Sequence, residues 1–311
     1  MRNQKQYAAK IGKHAGRAAR FASQGKNEKA MVAAALAASE RQLLHPQTWS
    51  LWAGASDDVF EKALSLISEE ERQLLLFASN PHIVLENIVV ELSNSSAKLR
   101  AIAALGVDLD AFPSVQREED GIAVKSSATP AIAIAWLKPL ANLESLMIAG
   151  AKSPSPLDAK ARDMFCNSSD EPKTVLQLIA MWGDENEMAK ERGDVSSRMA
   201  GLVRWLAQDS GISVRNNKGM DALKIAVKYG KVELCKAILN EGGSLINRNA
   251  SGLNVSEMAE KLALDAKREG DHDLGRRINI ICSLIKAKTE AVELNDLLPS
   301  GNSHERSRPR I

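Results

Sequence analysis

The chain has 311 residues, 44% hydrophobic and only 4% aromatic, so a core has to be assembled from Ala, Leu, Ile and Val. Its longest apolar run, Ala30–Ala38, is nine residues, and a bilayer helix needs about 18–20, so no transmembrane segment is expected. The net charge of +2 hides a polarity: residues 1–45 carry +7, residues 301–311 carry +2, and the body between them carries −7.

In the basic head, Lys10, Lys13, Arg17 and Arg20 recur at three and four as a helical stripe, with Tyr7, Ile11, Ala15, Ala18 and Ala22 on another face. The first 27 residues contain no acid. Three readings fit this head: an organellar transit peptide, an anion-binding element for nucleic acid or membrane, or a helical hairpin that packs its Ala face. Asn27 can cap a second helix from Glu28 to about Leu44. A third helical stretch runs from Pro46 to about Leu76, with Val59, Ala63, Leu64 and Ile67 on one face.

Eight of the ten prolines fall between 46 and 172, and none lies between Pro172 and Pro299. That proline-free stretch reads as helices joined by Gly/Asn/Ser turns. The turns repeat: Asn216-Asn217-Lys218-Gly219-Met220-Asp221 and Asn249-Ala250-Ser251-Gly252-Leu253-Asn254 are one pattern offset by 33 residues. Each ends on a residue able to cap a helix. A short helix, a Gly-ended turn and a longer Leu/Ile-spaced helix follow the first, and such a unit points to a solenoid.

On these residues the sequence resembles the ankyrin repeat family. Asn216, Gly219, Asp221, Leu223, Ala226, Gly230, Gly243 and Asn247 stand where its consensus places Asp, Gly, Thr, Leu, Ala, Gly, Gly and Asn. Lys224 replaces the consensus His, whose hydrogen-bond network this unit is expected to lack. Weaker copies are expected at Gly106–Ala111, at Thr129-Pro130 with a second helix over 143–149, at Ser155-Pro156-Leu157 ending on Leu178–Gly183, and around Leu202–Leu206, with a capping unit over 254–286. An acidic loop containing Arg117-Glu118-Glu119-Asp120 bulges between Gly106 and Thr129. The resemblance implies an all-α fold: an ankyrin-like helical solenoid over 81–290, preceded by an N-terminal helical region over 1–80 and followed by a flexible basic tail over 291–311.

No motif of catalytic chemistry is present: there is no phosphate-binding Gly loop, nucleotide fingerprint or zinc-protease helix, so no enzyme activity, cofactor or metal is expected. Asp271-His272-Asp273 are adjacent and diverge by about 100° each on a helix. Cys166, Cys235 and Cys282 have neither metal nor disulfide spacing and suit a reducing, cytoplasmic setting. Delivery into another cell as an effector fits ankyrin proteins in general, but no residue here argues for it. Trp49, Trp52, Trp136, Trp182 and Trp205 sit in helical apolar patterns and read as core.

The resemblance implies binding of another protein through turn tips and the inward edge of the first helices. Carried over by residue, these are Arg215, Asn217, Lys218, Met220, Lys228 and Tyr229, then Arg248, Ala250, Ser251, Leu253 and Lys261. Five of the eleven are Lys or Arg and none is acidic, so a basic groove for an acidic protein segment is expected in a scaffold or adaptor. The alternative is a nucleic-acid- or anionic-membrane-binding protein acting through Lys10, Lys13, Arg17 and Arg20, with the repeats tethering a partner.

Overall fold

The structure is a computed structural model describing residues 89–90, 92–104, 106–110, 115–119, 122–126, 129–137, 139–154, 157, 171–189, 193–210 and 212–297, with isolated positions between 17 and 61. Lys10, Lys13, Cys166, Trp49, Trp52, residues 298–311 of the expected tail and the helices expected over 28–44 and most of 46–76 lie outside the described residues.

The regular elements among the described residues are helices apart from one antiparallel hairpin. The helices are α1 (Ser96–Ala104), α2 (Pro130–Leu137), α3 (Leu140–Ile148), α4 (Val175–Trp182), α5 (Glu185–Ala189), α6 (Val195–Ser210), α7 (Ala222–Lys228), α8 (Val232–Asn240), α9 (Val255–Glu269) and α10 (His272–Leu297). The hairpin, β1 (Val115–Glu119) and β2 (Ile122–Ser126), pairs Glu119 with Ile122 and Val115 with Ser126. It occupies the place of the expected acidic loop. Asp120-Gly121, the dipeptide between the strands, is a favoured two-residue hairpin sequence.

The helices pack in two rows. α2, α4, α7 and α9 touch in series, and α1, α3, α6, α8 and α10 form a second series behind them. Every first-row helix begins at a small polar residue. Thr129 and Thr174 offer hydroxyls to the N–H groups of Ile132 and Gln177, while Asp221 and Asn254 accept from Lys224 and Glu257. Each satisfies an orphan amide of the first turn, worth about 1 kcal/mol. The second row closes repeatedly in one way. After α1, α3 and α8, Gly106, Gly150 and Gly242 take positive φ, and the next residue donates back into the helix, from Val107 to Ile102, Ala151 to Leu146 and Gly243 to Ile238.

This corrects one boundary. Leu178–Gly183 does not end a second helix begun from Ser155-Pro156; it is the end of a first-row helix capped by Thr174, and α6, which contains Leu202–Leu206, is that helix's partner. At the far end, α10 runs on to Leu297, beyond the tail boundary expected at 290.

Two glycines probe the layering. Gly219 has φ +69° and a Cβ there would come within 3.1 Å of the Ala250 nitrogen, whereas Gly252, at φ +77°, would meet nothing within 4 Å. Gly252→Ala should therefore cost about 1–2 kcal/mol of left-handed strain, and Gly219→Ala distinctly more because the next turn must move. Urea unfolding of the two variants checks this; equal losses would mean the turns do not stack.

Candidate protein-binding surface

The turn before α7 is built by Asn216. Its buried side-chain oxygen accepts from the N–H groups of Lys218 (3.0 Å) and Met220 (2.9 Å). Asn249 does the same for Ser251 and Leu253, each at 3.0 Å. The corners therefore share one geometry 33 residues apart, and a backbone bond joins them: the Ala250 N–H donates to the Lys218 carbonyl at 2.9 Å. Further bonds extend the line of corners. Asn217 donates to Glu171 at 2.8 Å, ahead of the Thr174 cap, and Arg215 donates to Asn247 at 3.4 Å.

Beneath these corners lies a buried charge pair. Lys224 Nζ is 2.6 Å from Asp221 Oδ2, with the two side chains 0% and 2% exposed. The lysine thus neutralises its own helix cap. One layer earlier the same position is Gln177, which donates to the carbonyls of Val214 (2.7 Å) and Met220 (3.4 Å) and ties α4 to the next corner.

At the opposite ends of the first-row helices the exposed residues change character. Trp136 and Trp182, near the ends of α2 and α4, are 38% and 51% exposed, with ring centroids 5.5 Å apart at 78°. One layer on, the Lys228 ammonium lies 5.4 Å from the Tyr229 ring centre. The two layers are bolted together: Lys231 Nζ donates to the Gly183 carbonyl, and half-buried Glu185 accepts from the Leu234 N–H at 2.6 Å. Burial raises the Glu185 carboxyl above its ordinary value, against the pull of the Leu234 and Glu233 amides and of Lys231. Burial lowers Lys231, against Glu185 and Asp184.

The sequence-predicted residues divide accordingly. Arg215, Asn217, Lys218, Arg248, Ala250 and Ser251 are exposed and gathered at the corners. Lys228 and Tyr229, half-buried, lie at the other end of α7, and Lys261 is exposed on α9. Met220 is a correction: only 6% exposed, it faces inward with its sulfur 3.9 Å from Asn249 Nδ2. Leu253 is half-buried against the core. The corner surface is also less basic than expected, since Arg248 pairs with Glu257 at 3.0 Å and Glu171 stands beside Asn217.

Trp205 is core, 7% exposed, but Trp136 and Trp182 are not. The signal for Trp182 was its place before Gly183, matching Tyr229-Gly230. In the head, Arg17 and Arg20 are helical and exposed. Cys235 is buried and Cys282 half-buried; burial raises both thiols, Cys235 strongly, which keeps them protonated. Among the described residues no group of three or more His, Cys, Asp or Glu side chains could hold a metal, and no helix is long and apolar enough to cross a membrane. No family model matches the chain, and no curated protein matches it.

Two measurements follow from the buried charges. Lys224→Met leaves Asp221 buried and unpaired and should cost about 3–5 kcal/mol; adding Asp221→Ser, which keeps a cap without the charge, should recover much of that loss in chemical denaturation. Because folding raises Glu185 above the ordinary 4.5, the folded state holds that proton longer than the unfolded chain. Its favourable contribution is complete below the ordinary carboxylate range and is lost as pH rises through the folded value. Glu185→Gln should flatten that fall in a melting-temperature series from pH 4 to 7.

Proposed function

We propose that the helical rows form an ankyrin-like solenoid serving as a non-catalytic protein-interaction module, a scaffold or adaptor that holds its partner along the exposed corners and the outer ends of the first-row helices. The observation that carries this reading is the Ala250–Lys218 backbone bond between two equivalent corners one layer apart. It supports a continuous, rigid edge whose outward side chains vary while its backbone repeats. Arg215 and Lys218 stand exposed there, which favours an acidic segment as partner.

The test is a fluorescence-anisotropy titration of the full chain with a fluorescein-labelled decaglutamate peptide at low salt. Arg215→Glu with Lys218→Glu should weaken binding about fivefold or more while the thermal melt is kept. Unchanged binding removes the acidic-partner reading. Tighter binding of a labelled oligonucleotide, with affinity falling steeply as salt rises, would instead support the nucleic-acid role of the basic head.

A further inference from the structure

The outer ends of α2, α4 and α7 carry a surface that the charged corners do not explain. Trp136 and Trp182 come from successive layers yet touch edge to face, and both keep a large part of their surface in water. Isolated exposed apolar side chains are ordinary, but two tryptophans in contact across layers form a continuous patch. The Lys231–Gly183 bond places the next corner directly beside Trp182.

That corner is cationic. Lys228 stands over Tyr229, and Arg277, from α10, lies against Gly230, where a Cβ would come 3.6 Å from the guanidinium carbon. The acids facing this corner, Asp184 and Glu185, act on Lys231, while Glu233 accepts from Ser196 at 2.5 Å. Among the described residues no acid forms an ion pair with Arg277, which leaves its exposed charge available for a carboxylate.

Neighbouring helices lie about 8–10 Å apart and an extended chain rises about 3.3 Å per residue, so one layer spans roughly three residues of a bound strand. We infer that this ledge docks an extended acidic segment of a partner protein, with an apolar side chain on Trp136 and Trp182 and a carboxylate about three residues along on Lys228 and Arg277. This rests on the interaction-module reading and names what the module selects. Single-stranded nucleic acid suits the ledge less well: successive bases stack on accessible ring faces, whereas these rings stand at 78°.

The experiment uses the full chain and fluorescein-labelled twelve-residue peptides in a Gly/Ser background. One carries Phe followed three residues later by Glu-Glu, a second separates them by eight residues, and a third lacks Phe. The first should bind at least about fivefold tighter than the others. Trp182→Ala should abolish the preference for Phe, and Arg277→Glu the dependence on Glu. The Arg215→Glu, Lys218→Glu variant should keep both, and exposed Trp182→Ala should leave the thermal melt nearly unchanged. Equal binding of all three peptides, a preference that survives Trp182→Ala, or tighter binding of labelled oligothymidine would overturn the ledge. If decaglutamate binding still depends on the corner residues in that event, the module reading stands without the ledge; if no peptide binds, both fall.

Discussion

A first-row helix in this protein cannot exist without its neighbours. α4 has 8 residues and α7 has 7, whereas an isolated helix shorter than about 12–15 residues is marginal in water. Val175–Met181 and Ala222–Val227 are buried without interruption, so both helices are stabilised by lateral contact with the helices on either side and behind. Burying one Leu or Ile side chain contributes about 1.5–3 kcal/mol, and only an ordered row supplies those contacts. What remains in water is the two ends of each short helix. The candidate binding residues cluster at those ends because the middles are closed.

The same position in successive layers solves one problem in different ways. Three residues after the cap, Gln177 reaches forward to the next corner, Lys224 turns back on its own cap, and Glu257 completes a capping box with Asn254. Each keeps polar groups partnered near the end of a helix, where an unpaired buried charge would cost several kcal/mol. Lys224 therefore forms a self-contained ion pair with its own cap. It does not link layers, and the backbone bond between Lys218 and Ala250 supplies the connection at that level.

The corners were legible in the sequence because local chemistry makes them: an Asn that folds its turn, a Gly at positive φ and a capping residue all lie within six positions. The helical nature of 216–286 was legible for the same reason. The Thr174 cap was obscured by Ser155-Pro156, an equally good local start signal that placed the unit boundary too early. Met220 was misplaced because a turn residue reads as exposed until the next layer covers it. Trp136 and Trp182 were misplaced for the opposite reason, since apolar spacing does not reveal where a row of helices ends and water begins. The pairing of Arg248 with Glu257 and of Asn217 with Glu171 needed coordinates, because it depends on how the chain returns.

From cap to cap the first-row helices are 45, 47 and 33 residues apart, measured from Thr129 through Thr174 and Asp221 to Asn254, yet the row continues without a break. Helix diameter, and not chain length, sets the pitch of the stack. Extra residues are accommodated between the paired helices, as with α5 between α4 and α6, or in the connections ahead of a cap. Such a stack can lengthen or shorten those links while the spacing of its exposed ends stays constant, which separates the freedom to acquire new segments from the geometry of the exposed edge.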